Sequence, residues 1–269
     1  MKNIFSAMLL LAAATFFFSS CKKDKNTTPQ PQPAPQYYAL GEAYNNGLRI
    51  ALFSDAALQT GYERLYVALF DSASGNRISE AAVALTPVMD MGTMVHSAPV
   101  ENPASTNAVN QYFPGAVVFT MPGNSEEWSV QVTVLRDGNT SMVSIPVSVA
   151  ASSPARVKSF VSGADGASYF VALLQPSNPI VGINDLELAV FKKESMMSFP
   201  ADSSMSIAVE PEMPSMGHGS PNNVDPTHAG SGHYKGKVNF TMTGSWRLNL
   251  DFNTPAGPAD TATYFEINF

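Results

Sequence analysis

The 269-residue sequence holds one cysteine, Cys21, and only four histidines. One thiol excludes an internal disulfide and any site built from several thiolates. Export would permit disulfides without demanding them. Charged residues are 14% of the chain, the formal net charge is −7, and no basic stripe is present, which argues against nucleic acid as a partner. There is no Gly-x-Ser-x-Gly elbow, no His-Glu-x-x-His and no phosphate-cradling glycine loop. No catalytic constellation is left, and the chain is expected not to be an enzyme. Past the first 20 residues no segment keeps helical apolar spacing for three turns, so strands are expected throughout.

What is present begins with the leader. Met1-Lys2-Asn3 is a short positive start, Ile4 to Phe18 is apolar, and Ser19-Ser20-Cys21 closes the run. Its length suits a secretory segment better than a membrane-spanning helix. A plain signal peptide or a single-pass anchor is the competing reading. A small residue before cysteine at this place resembles a bacterial lipoprotein signal, which implies cleavage before Cys21 and a lipid on Cys21. Loss of residues 1–20 removes Lys2 and moves the charge from −7 to −8. Residues 21–36 then form the lipidated cysteine and a Pro/Gln-rich tether. The expected place is the cell envelope, anchored to the membrane, facing the periplasm or the exterior.

The remainder repeats itself. Leu65-Tyr-Val-Ala-Leu-Phe70 matches Leu186-Glu-Leu-Ala-Val-Phe191, and Met91-x-x-Met94-x-His96 matches Met213-x-x-Met216-x-His218. Tyr112 follows His96 by 16 residues, as Tyr234 follows His218. Val118-Phe-Thr-Met121 matches Asn239-Phe-Thr-Met242, and Trp128 and Trp246 follow. The offset of 121–122 residues falls to 118 at the tryptophans. Landmarks in one order at one offset mark a tandem duplication.

Each copy reads as short strands rich in Val, Leu, Phe and Tyr between Gly, Asn, Asp and Pro turns. Seven or so strands in about 110 residues fit an antiparallel β-sandwich. The expected fold is therefore all-β, with sandwiches over residues 37–151 and 152–269 and a boundary near Ala150–Pro154. Trp128 and Trp246 are expected in the cores.

All four histidines lie in or just after the Met/His stretches. Thioether and imidazole are ligands suited to soft copper. Pro211, Pro214, Gly217 and Gly219 predict a long loop from Met213 to about Ser231. A turn at Pro214–Gly217 would gather Met213, Met216 and His218, while His228 and His233 would fold back and Met242 would join from a nearby strand. These six are the candidate metal ligands, with Glu212 and Asp225 as neighbouring carboxylates. The first copy offers Met91, Met94, His96 and Met121, with Met89 added, and is expected to bind more weakly. The competing reading has the methionines filling gaps in a β core and the histidines decorating a loop.

Met213-Pro-Ser-Met216-Gly-His218, then Tyr234-x-Gly236 and Phe240-x-Met242-x-Gly244-x-Trp246-Arg-Leu, resembles the YtkA-like domain, related to FixH-like envelope proteins. The second repeat carries the pattern over most of residues 165–252. The first is looser, with Val95 in place of the glycine before the histidine. The resemblance implies an exported immunoglobulin-like sandwich and an association with copper delivery or oxidase assembly. The lipoprotein start is similar to those of Bacteroidota. Against a copper protein stands a non-enzymatic interaction or adhesion module, with other envelope proteins as partners and no metal site.

Overall fold

Alternation decides the local structure. Ala82–Asp90 reads AVALTPVMD, and its side chains take turns between solvent and core along the strand, as a half-buried strand demands. The computed structural model describes residues 37–269, and no helix occurs among them. The expected signal peptide, Cys21 and the tether to residue 36 lie outside the described residues.

The first copy contains β1 (Tyr38–Asn45), β2 (Leu48–Ser54), β3 (Gly61–Asp71), β4 (Arg77–Ile78), β5 (Ala82–Asp90), β6 (Val95–His96), β7 (Val100–Glu101), β8 (Phe113–Phe119), β9 (Trp128–Arg136) and β10 (Asn139–Pro146). The second contains β11 (Val157–Val161), β12 (Ser168–Gln175), β13 (Gly182–Lys193), β14 (Ser206–Met213), β15 (His218–Gly219), β16 (Val224–Gly230), β17 (His233–Phe240), β18 (Ser245–Thr254), β19 (Gly257–Asp260) and β20 (Tyr264–Asn268).

The first ten strands make two sheets, ordered β1-β2-β3-β8-β7 with β4 beside β3, and β10-β9-β5-β6. The second set makes β11-β12-β13-β17-β16 and β15-β14-β18-β19, with β20 beside β18. Apart from β4 and β19, each sheet of one copy has the strand order of its counterpart. The duplication is thus one of topology as well as of sequence. In both copies a central pair (β3 with β8, β13 with β17) is joined through strands of the opposite sheet, a Greek-key crossing. Each pair of sheets closes over its own core, with Trp128, Phe113 and Phe119 in one and Trp246, Tyr234 and Phe240 in the other. The fold is all-β and antiparallel, two immunoglobulin-like sandwiches in series.

Register corrects the repeat alignment. Val67 pairs with Phe113 and Leu188 with Tyr234, so Phe113, not Tyr112, is the counterpart of Tyr234. Tyr112 stands where the second copy has His233. A shift of one residue in a strand turns a side chain to the other face. The long loop expected over Met213–Ser231 is also corrected. Met213 ends β14, His218 lies in β15, and Val224–Gly230 is an edge strand. Pro226 is compatible with that place because an edge strand has no ladder bond to lose on its free side.

The two sandwiches meet along an apolar seam. Val118, Ala172, Ala189 and Phe191 are all at most 1% exposed, packed with Tyr62, Val157, Leu174 and Phe199. These positions point away from both cores, where an antiparallel sheet would otherwise be polar. Covering Phe191 alone contributes roughly 1.5–3 kcal/mol. A backbone bond adds to the seam, from the Ser97 amide to the Met196 carbonyl at 2.8 Å.

Gly115 on β8 and Gly236 on β17 share one role. A Cβ at Gly115 would sit 2.7 Å from the Glu101 carbonyl oxygen, and one at Gly236 would run into the Val224 carbonyl. The missing side chain lets β7 and β16 cross closely. Gly236→Ala should therefore cost about 1–3 kcal/mol through overpacking, read as a lower urea midpoint. Gly163→Ala, whose Cβ meets nothing nearer than 3.6 Å, should leave the midpoint unchanged.

Candidate metal centre

Three strand ends build the same arrangement in both copies. On β14, Met213 pairs directly with His218 of β15. The β14–β18 ladder, which runs to Glu212 opposite Arg247, brings Trp246 level with Met213. In the first copy Met89 pairs with both His96 and Trp128. Residues directly opposite on antiparallel strands project to one face with Cβ atoms about 4.5–5.5 Å apart. Thioether and imidazole are thus forced to be neighbours. The imidazole lies edge-on to the indole in each copy, with centroids 5.9 Å apart.

The histidines are held alike. His96 Nδ1 lies 2.9 Å from the Ser97 carbonyl, and His218 Nδ1 lies 2.9 Å from the Gly219 carbonyl. A carbonyl oxygen can only accept, so Nδ1 carries a proton, and in the neutral ring Nε2 is the nitrogen with the lone pair. A metal-ligating histidine is commonly held in this way. His96 is 6% exposed and its Nε2 is buried with no hydrogen-bond partner. His218 is half-buried.

The methionines divide by depth. Met213 and Met89 are each 3% exposed. Their methyl ends reach the turns after β17 and β8, where a Cβ added at Gly244 or at Gly123 would lie 3.2 Å from Met213 Cε or Met89 Cε. Those same turns carry Met242 and Met121, whose carbonyls accept the Trp246 and Trp128 indole N–H at 2.9 and 3.1 Å. Met242, Met121, Met216 and Met94 keep exposed side chains. Met213, Met216, His218 and Met242 therefore share one end of the second sandwich. Met89, Met94, His96 and Met121 share the matching end of the first.

Met89, not Met91, is the counterpart of Met213. Both turns have four residues, 91–94 and 214–217, but in the first copy the pair Asp90–Val95 separates the Met89–His96 pair from its turn, and Met91 sits exposed within that turn. The alternation of β5, with Val83, Leu85 and Met89 inward, was the signal that could have found this.

His228 and His233 do not join the group. His218 lies against Trp246, which contacts Phe240 at the far end of β17. His233 opens that strand, and at about 3.3 Å per residue it stands roughly 23 Å from Phe240. His228 packs on Tyr234 and accepts the Gly232 amide at 3.4 Å, so it too stays at the His233 end. The carboxylates are also occupied: Asp225 accepts the Val209 amide at 2.9 Å and Glu212 accepts from Asn249 at 3.2 Å. Among the described residues no three His, Cys, Asp or Glu side chains form a metal-binding cluster. The donors gathered here are one imidazole and several thioethers per copy.

His233 belongs to the seam between the sandwiches. Its Nε2 lies 2.7 Å from Glu101 of the first and its Nδ1 2.9 Å from Glu187 of the second. Both nitrogens face acceptors, so the ring is held as imidazolium. Tyr62 completes the group, donating to Glu101 at 2.8 Å. Burial and the Glu101 charge push the Tyr62 phenol well above its usual range. A cleft of about 380 Å³ opens beside it, lined by Tyr62, Arg156, Glu187 and His233.

Comparison with known proteins bears on the second copy. The family model described as YtkA-like matches residues 164–251, the stretch that carries Met213, His218, Met242 and Trp246. Among curated proteins none matches the chain. One of the matching solved structures is FdeC, described as a broadly conserved Escherichia coli adhesin eliciting protection against urinary tract infections. The two share 13% identity over 85% of this chain and 65% of that one, with a TM-score of 0.26. This chain therefore spans just under two thirds of that structure.

The hydrogen bond to Glu101, followed by that to Glu187, raises the His233 pKa above the ordinary 6.5, against the opposing effect of burial. A raised folded pKa means the stabilisation is complete below the unfolded value and is lost as pH climbs through the folded one. His233→Gln should cost about 2 kcal/mol at pH 5.5, the scale of a hydrogen bond to a charged group. The gap to wild type should shrink at pH 9, measured as paired urea midpoints. A gap independent of pH would contradict an imidazolium at this seam.

Proposed function

We propose that the protein, with its YtkA-like stretch at residues 164–251, is a lipid-anchored envelope protein that holds or passes copper. The binding groups are Met213 and His218, with Met216 and Met242 from the adjoining turns. The observation that carries this reading is the repeated pairing of a buried thioether with an imidazole whose Nδ1 is tied to backbone.

The chemistry suits Cu(I). Thioether sulfur is soft and uncharged, so the site needs no deprotonated thiol and discriminates against magnesium and calcium, which prefer oxygen. Cys21 is the only cysteine, and in this reading it carries the anchor. The Pro/Gln tether then holds the sandwiches away from the membrane, where copper exchange with other envelope proteins is sterically free. A role in copper homeostasis or oxidase assembly follows the resemblance of the second repeat.

Anaerobic titration with Cu(I) against a colorimetric chelator tests the reading. Met213→Leu with His218→Gln should weaken copper retention at the second copy at least tenfold, about 1.4 kcal/mol. His228→Gln with His233→Gln should leave copper affinity unchanged. Feeble and equal competition by all three proteins would favour an interaction or adhesion module instead.

A further inference from the structure

We infer that the first sandwich carries the more retentive copper site, built on Met89 and His96, while the second acts as the site of exchange. This rests on the copper reading above and reverses the ranking that histidine counting suggests.

Three differences between the matched sites support it. His96 Nε2 is buried without a partner, and Met89 beside it is 3% exposed; His218 is half-buried. An orphaned buried acceptor is destabilising, and a metal ion accepting that lone pair would remove the penalty. Second, the residue that anchors each ring differs. Ser97 Oγ donates to the Pro87 carbonyl at 2.6 Å, and its amide donates to Met196 of the second sandwich at 2.8 Å. Gly219 stands in its place and has no side chain to make the first of these bonds. Third, His218 lies between Gly217 and Gly219, with Gly217 at φ 64°, whereas His96 lies between Val95 and Ser97.

Bracing and enclosure act on the off-rate. A ligand set already held in place loses less entropy when it binds, and differences between related sites appear mainly as slower release. The open, glycine-flanked copy is suited to receive and hand on the ion. The Ser97–Met196 bond ties the retentive site to the seam, so the second sandwich helps to hold it.

The test uses the full chain in detergent, loaded anaerobically with Cu(I) and challenged with excess colorimetric chelator. The wild type should release one equivalent quickly and a second at least tenfold more slowly. Met213→Leu/His218→Gln, which leaves the first sandwich untouched, should lose the fast phase and keep the slow one. Met89→Leu/His96→Gln should do the opposite. If the variant in the second copy instead loses the slow phase, or if both phases have one rate, the ranking is overturned while copper binding stands. If the wild type takes up no Cu(I), the copper reading itself fails.

Discussion

Direct cross-strand pairing is the constraint on which the candidate site depends. Residues opposite one another on antiparallel strands point the same way, so pairing Met213 with His218 and Met89 with His96 puts a thioether and an imidazole side chain on one face without help from a flexible loop. Trp246 and Trp128 close the third side as core residues, 1% and 0% exposed. Their indole N–H groups fix the turns that bear Met242 and Met121. A site made from strand ends inherits the rigidity of two packed cores, and its donors need little ordering before a ligand arrives.

The duplication has let the copies diverge around a shared frame. The pairing, the Nδ1 anchor and the indole are kept, while the turns, the residue after the histidine and the depth of the ring have changed. The copies are also not independent bodies, for Gln36–Phe269 forms one compact unit. Small side chains at Ala172 and Ala189 let the two outer faces approach, and Phe191 fills the seam. Glu101, His233 and Glu187 then bridge it at one margin. Buried apolar area supplies most of the adhesion, and the charged bridge restricts the relative orientation, because each ring nitrogen has a fixed acceptor on a different sandwich.

Much of the fold could be read from residue order. Period-two alternation marked β5, β9 and β14, while the uninterrupted apolar run Leu188–Phe191 belongs to a strand covered on both faces. That run was also a sign of the seam, since only a partner makes continuous apolar character useful on an antiparallel strand. The edge strand Val224–Gly230 was hidden by Pro226 and by glycines, which report turns and edges alike. In the site, Met213, Met216, His218 and Met242 could be proposed from spacing because a four-residue turn, Pro214 to Gly217, fixes their neighbourhood. Met91 was a false match because counting back from His96 ignored the extra strand pair, Asp90 with Val95, that precedes its turn.

Sequence by itself determined the duplication, the all-β character and the buried tryptophans, since each follows from short-range periodicity and composition. Tertiary structure alone decided the fate of His228 and His233. Both sit within 15 residues of His218 in the chain, yet β16, which bears His228, runs to the opposite end of the sandwich, where His233 opens β17. An extended strand converts each residue of sequence separation into about 3.3 Å of distance. Near neighbours in order are brought together only where a turn reverses the chain, and only the folded sheets show where each turn falls.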